Sequence, residues 1–150
     1  MKKLIKIMFT IIVVALFLLI ASIPFMNNYV AYSVKKELTR LSLPDKTELV
    51  DSISSARKLV GNGNGMQFFG AILIKSELAL EELDHYYSKY REIGGFYIVE
   101  KQTSRQIDVI DHGNLTFKAL KADQIVTDYY IVYTWGSSDY PLSDLDLRGH

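Results

Sequence analysis

Apolar residues run without a charge from Ile7 to Met26, "IMFTIIVVALFLLIASIPFM", and the chain sustains no such run again. These 20 residues, at about 1.5 Å each, match the roughly 30 Å hydrocarbon core of a bilayer. The length favours an uncleaved signal anchor over a cleaved signal peptide, whose apolar region usually covers about 7 to 15 residues before a small-x-small site. The best local cleavage candidate, Leu19-Ile20-Ala21, carries a bulky Leu at its outer position. Pro24 lies near the end of the span, where it is tolerated. Residues 27–43 are expected to continue the helix as a juxtamembrane stalk. "LSLPD" at 41 to 45 ends it, since Pro44 pushes the residue before it out of helical geometry.

Beyond the stalk the pattern shortens. "TELVDSISSARKLV" from Thr47 to Val60 alternates imperfectly, as a half-exposed strand does. From Met66 to Lys75 both faces are apolar, with Met66, Phe68, Ile72 and Ile74 on one and Phe69, Ala71 and Leu73 on the other, which predicts a central, covered strand. "SELALEELDHYYSKYREIGG" then switches to helical spacing through Leu80, Leu83, Tyr87 and Tyr90. It starts near Leu80 with Glu81 and Glu82 in its first turn, where the helix dipole favours them, and stops at Gly94 and Gly95. "FYIVEKQ" from Phe96 reads as a strand, Ile107 to Asp111 and Leu115 to Leu120 as a hairpin around "HGN", and Thr127 to Trp135 as the most β-prone stretch. Strand, strand, helix and then three or four strands predicts an α+β domain over 44–136, a mainly antiparallel sheet with one packed amphipathic helix. Residues 137–150, polar and broken by Pro141, form a strap or a tail.

Charge changes the picture at the amino terminus. Lys2, Lys3 and Lys6 precede the apolar run and every acidic residue follows it; removing those 3 from 17 basic residues leaves 14 against 17 acidic ones. The positive-inside rule therefore puts the amino terminus of segment 1–26 in the cytoplasm and the domain outside the cell membrane. A mildly acidic domain with no basic stripe argues against nucleic acid as a partner. The chain has no Cys, which removes disulfides, thiolate metal sites and cysteine nucleophiles.

"GNGNG", Gly61, Asn62, Gly63, Asn64 and Gly65, is the motif that most invites a phosphate-binding reading. A dinucleotide fingerprint needs its glycines to open a helix, and a P-loop needs Gly-Lys-Ser/Thr; here Met66 and a strand follow, so no helix dipole is supplied. Asn-Gly pairs suit tight turns at positive φ, so a turn between the first two strands, with the two Asn-Gly pairs at positive φ, is the favoured reading, and a small anion nest of backbone amides stays open. His85 follows Asp84 on the helix, but adjacent helical residues point about 100° apart. Asp111 and His112 lie in a glycine turn and His150 near Asp144 and Asp146, sets that could hold a cation or simply be turn and tail residues. Glu81, Glu82 and Asp84 read as the water-facing side of the helix. Ser54 and Ser55 lack a nucleophile elbow, and "NLT" at Asn114 is a chance glycosylation pattern. Tyr86, Tyr87, Tyr90, Tyr129, Tyr130 and Tyr133 read as packing between helix and final strand.

"LPDKTELVDSISSARKLVGNGNGMQFFGAILIKSELALEEL", continued by "YYSKY", is similar to a family of small membrane-anchored proteins of Gram-positive bacteria with no assigned function. The resemblance covers residues 41 to 93, the anchor and the closing "DLRGH", and departs at Ala79, where the family has a Ser that would cap the helix. It implies compartment and domain extent and no chemistry. Together these features lead to the expectation of a non-enzymatic, single-pass, extracytoplasmic domain that binds a protein, a peptide or a cell-wall component, without cofactor or metal. A small envelope hydrolase, or a metal- or phosphate-binding protein using loop 61–65 or Asp111 and His112, is the alternative.

Overall fold

A computed structural model describes residues 2–63, 65–91, 96–122 and 126–145, with Arg91 as backbone only. Helix α1 runs unbroken over Lys2–Leu38, with Pro24 inside it. It is followed by β1 (Thr47–Arg57), β2 (Gln67–Ser76), α2 (Leu80–Arg91), β3 (Ile98–Lys101) and β4 (Tyr129–Gly136). The strands make one antiparallel sheet in the order β1-β2-β4-β3, so the domain is α+β with a mainly antiparallel sheet. β2, apolar on both faces, is a central strand as its composition demands.

Alternation along β2 and β4 divides the core in two. Ile72, Ile74, Tyr130 and Val132 face the helices, packing with Leu38 of α1 and with Leu83 and Tyr87 of α2. Phe69, Ala71, Leu73, Ile131 and Tyr133 face the other way, under Leu59, Ile107, Ile110, Phe117, Leu120 and Val126. The sheet is thus covered by two helices on one side and by irregular chain on the other.

The expected hairpin over 107–111 and 115–120 is not formed as strands. A single bridge, Gln106 to Thr116, joins the two arms. Ile107, Ile110, Phe117 and Leu120 all reach the same core, at offsets of three within each arm, and a period of two cannot send residues three apart to one face. Turns do so instead. Among the described residues two strands, β3 and β4, therefore follow α2 in place of three or four.

The largest departure from a stalk lies in 27–43. Asn27, Ala31 and Leu38 are buried, and α1 lies against β1, β2 and β4. Ala31 and Val30 pack with Ala56, Met66 and Phe68. Val34 and Lys35 sit directly on Gly70, and Val34 on Gly136, leaving no room for a Cβ at either. This part of α1 covers the sheet on the side that it shares with α2.

Asn27 is 1% exposed, and neither its amide nitrogen nor its oxygen has a hydrogen-bond partner. An unsatisfied buried amide costs about 1–3 kcal/mol, and Leu has nearly the same branched shape. Asn27→Leu is expected to raise stability by about 1–2 kcal/mol in a denaturant titration; an unchanged or lower midpoint would count against an orphaned amide.

Helix α2 begins with a half capping box, in which the Ala79 amide donates to Glu82 Oε2 at 2.8 Å, so Glu82 supplies a cap that Ala79 itself cannot. Its buried side carries Tyr87, fully enclosed, edge-on to Tyr86, while Lys89 lies over the Tyr86 ring, 3.4 Å from its centre. Residues 94 and 95, the expected helix stop, lie outside the described residues.

Three tyrosines are held neutral. Burial, then the neighbouring Tyr86 and Tyr90, pushes the Tyr87 hydroxyl up. Burial and the Glu37 carboxylate push Tyr97 from 10.0 to about 12, and burial followed by the Glu100 contact raises Tyr133. A raised folded pKa means stability fully present below the unfolded value and lost as pH climbs through the folded one. The domain is expected to keep its melting temperature up to pH 10 and to lose it progressively toward pH 12, with the loss blunted in Tyr97→Phe and Tyr133→Phe. Identical alkaline profiles for the variants and the parent chain would refute the assignment.

Candidate functional site

The two core faces and the course of α1 give the sheet two distinct ends. Low-numbered α1 residues meet the Phe68 end of β2 and Leu38 meets the Ile72 to Ile74 end, so loop 58–66 lies at the end nearer the apolar span. The Thr47 and Ser76 end is the far one.

At the near end, β1 and β2 are joined by nine residues, more than a tight turn needs. Gln67 organises the base: its Oε1 accepts from the Leu59 and Val60 amides at 2.8 and 2.9 Å, and its Nε2 donates to Val60 O at 3.2 Å. The 111–112 turn clamps the other side. Leu59 O accepts from the Asp111 and His112 amides, both at 2.9 Å, and the Gly61 amide donates to Asp111 Oδ2 at 3.1 Å. His112 Nε2 contacts Gly61 O at 2.8 Å; a carbonyl only accepts, so Nε2 carries the hydrogen. Asp111 and His112 are therefore fastened to Leu59 and Gly61 at the start of the loop, which sequence spacing of about fifty residues did not reveal.

That structure works against a phosphate nest. The Leu59, Val60 and Gly61 amides are already donated to Gln67 and to a carboxylate, and an anion at Gly61 would meet the Asp111 charge. Positive φ occurs at Gly61, +68°, rather than at the pair Asn62 and Gly63, because the turn is made where the chain leaves the Gln67 clamp. Asn64 lies outside the described residues. Gly61→Ala is expected to cost about 1–2 kcal/mol as a left-handed residue, whereas Gly63→Ala, with nothing within 4 Å of the added carbon, should change stability by less than about 0.5 kcal/mol. Equal melting temperatures for the two would show that φ at Gly61 is unconstrained.

The remaining chemistry-bearing residues are spread out. Glu81, Asp84 and His85 line a shallow cavity of about 410 Å³ on α2 with Leu80, Ser88 and Val99, on the helical face of the sheet. Asp111 and His112 serve the opposite face, so the two sets do not meet. Ser54 and Ser55 lie within β1. Among the described residues no three His, Asp or Glu side chains converge as a metal site would need; Asp146 and His150 lie outside them.

A cavity of about 540 Å³ lies at the far end and is lined by Lys46, Thr47, Glu48, Lys75, Ser76, Glu77 and Asp128. Its floor is fixed by the Thr47 and Ser76 hydroxyls, 2.6 Å apart, and by the Ser76 amide donating to Asp128 O at 2.9 Å. Lys46 takes φ +57° and pairs with Glu77 at 3.8 Å across the rim, an exposed pair worth little to stability. Two cations, three carboxylates and two hydroxyls around an open hollow can hold a polar ligand in several orientations; they offer no base aligned on a nucleophile. Sequence reasoning missed this cavity because its residues come from a turn, two strand ends and a loop, none of which carries a motif. No protein family, no characterised protein and no solved structure matches this chain.

Proposed function

We propose that the chain is a single-pass membrane protein whose helix α1 anchors a small extracytoplasmic domain that works by binding, in the envelope of a Gram-positive bacterium. The observation that carries this is the continuity of α1: one helix is long and apolar enough to cross a membrane, is uncovered over its apolar part, and continues into the sheet's core. The basic residues Lys2, Lys3 and Lys6 support a cytoplasmic amino terminus. The binding end is the far cavity around Lys46, Ser76 and Asp128, since it points away from the span. Its mixed charge fits a polar partner such as a protein, a peptide or a wall component, and neither nucleic acid nor a cofactor is called for.

Reporter fusions after residue 145 test the topology: activity of a cytoplasm-only reporter would reverse the orientation. Photo-crosslinking residues at Glu48 and Lys118 in intact cells test the binding end. A defined product at Glu48 and none at Lys118 is expected; the reverse would move the site to the β1 edge.

A further inference from the structure

The carboxyl-terminal strap, residues 137–145, meets α1 where its uncovered part ends. Ser22 donates to Leu19 O at 2.6 Å; with its one hydrogen used, it accepts from the Tyr140 hydroxyl at 2.8 Å. Ile23 is fully buried. The uncovered stretch therefore runs from Leu4 to Ala21, apolar but for Lys6, whose long side chain can reach back to the surface; these 18 residues at about 1.5 Å each come to roughly 27 Å, close to a hydrocarbon core. If α1 crosses a bilayer, the strap lies at its surface.

What the strap shows at that level is apolar. Tyr140 to Leu145 is a run of turns held by Ser143 N to Tyr140 O and Leu145 N to Leu142 O. Ser143 points inward and is buried, while Leu142 and Leu145 are 47% and 46% exposed, three residues apart and so side by side in such a turn. Leu142 stands at φ +64°, a conformation that a branched apolar residue adopts only against a steric cost. Its carbonyl accepts from the Leu145 amide, while its side chain stays about half exposed. On α1 itself Phe25 and Tyr29, 77% and 63% exposed, lie four residues apart and continue the outward face just above the span.

We infer that Leu142 and Leu145 of the strap, with Phe25 and Tyr29 of α1, dock the domain onto the surface of the same bilayer that holds α1. The inference rests on the anchor reading and adds to it that the domain has no stalk: the end bearing loop 58–66 and the strap sits at the headgroups and the polar cavity faces outward. Aromatic and leucine side chains are what interfacial contacts use. Asp139 and Asp144 flank the turn and are exposed, which confines it to the headgroup level and makes zwitterionic lipid the suitable surface.

The chain contains no cysteine, so single-cysteine labelling of the full-length protein in phosphatidylcholine vesicles is a direct test. Environment-sensitive labels are placed by Phe17→Cys, Leu142→Cys and Lys75→Cys, and quenched from lipids spin-labelled near the headgroup or deep in the chain and from aqueous iodide. The Phe17 label should be quenched by the deep probe, the Leu142 label by the shallow probe with severalfold protection from iodide, and the Lys75 label by iodide alone. A Leu142 label as open to iodide as the Lys75 label, with Phe17 in the bilayer, overturns surface docking and leaves the anchor standing. A Phe17 label outside the bilayer overturns the anchor and the docking with it. Leu142→Gly separates contact from backbone strain: in a Leu145→Cys background it should raise iodide quenching severalfold without lowering the melting temperature, and unchanged quenching would overturn the proposed role of Leu142.

Discussion

Gly70→Ala should loosen the sheet from helix α1. A Cβ at Gly70 would lie 2.7 Å from Lys35 N, 2.8 Å from Val34 Cγ1 and 2.9 Å from the Val34 carbonyl carbon. Two of those three atoms are helix backbone, which no rotamer change can move aside. Overpacking of this kind costs about 1–3 kcal/mol and occasionally more, and here the upper end applies because α1 must shift as a rigid rod. For a domain of this size each kcal/mol lowers the melting temperature by roughly 4–8 °C. Gly136→Ala is the internal control. Its added carbon meets Val34 Cγ2, a side-chain end, with Phe68 Cβ and Val34 Cβ at ordinary contact distance. Val34→Ala should therefore rescue Gly136→Ala and fail to rescue Gly70→Ala, a difference that a double-mutant cycle on the full-length protein in micelles measures directly. A Gly70→Ala chain that melts with the parent would mean that α1 is not seated on β2.

The same contact explains what could be read along the chain. Regular periodicity announces elements that bury a fixed stripe, and β2, β4 and the start of α2 are found within a residue or two of where alternation and helical spacing put them. Segment 105–120 misled because β-prone residues such as Ile107, Val109 and Phe117 carry the same signal whether they pair in a ladder or fold over a sheet in turns. The GNGNG stretch was legible as part of the connection between β1 and β2, but the fastenings at its start were not, since Gln67, Asp111 and His112 are ordinary polar residues until the fold brings them to Leu59 and Gly61. The polar cavity had no signal at all, because Lys46, Ser76 and Asp128 belong to no common pattern.

The stalk reading shows the limit most sharply. Along α1 the inward residues Ile23, Asn27, Ala31 and Leu38 are spaced by four, four and seven, a proper helical stripe, but it is interleaved with Phe25, Tyr29 and Tyr32 on the outer face and begins inside the apolar run. An amphipathic helix that continues directly from a uniformly apolar segment has no polar border at its start, so the hydropathy profile merges the two. Gly70 and Gly136 were the remaining clue. Glycines inside strands mark a close approach; at Gly70 it is the α1 backbone that approaches, and at Gly136 the Val34 side chain.

A soluble fragment cut where composition changes, at Pro44, is accordingly expected not to fold, whereas one beginning at Ser22 should. The first lacks Ile23, Ala31 and Leu38, all essentially fully buried, and opens the packing of Phe68, Ile72 and Ile74 to water. Each large apolar side chain removed from burial forfeits about 1.5–3 kcal/mol, so losing the helix and baring its partners consumes most of the roughly 5–15 kcal/mol that keeps a domain folded. The fragment from Ser22 retains all of these contacts and the Tyr140 bond, and gives up only the uncovered apolar part of α1. Near-ultraviolet dichroism and amide chemical-shift dispersion distinguish the outcomes: a sharp thermal transition for 22–150, and for 44–150 a flat near-ultraviolet signal with exposed apolar surface. Adding a synthetic peptide of residues 22–43 to the shorter fragment should restore part of the dispersion, since the seat over Gly70 needs the helix but not the peptide bond at residue 43. A cooperative transition for 44–150 alone, at the same temperature as for 22–150, would show that the sheet and α2 are self-sufficient and that the helix merely rests on them.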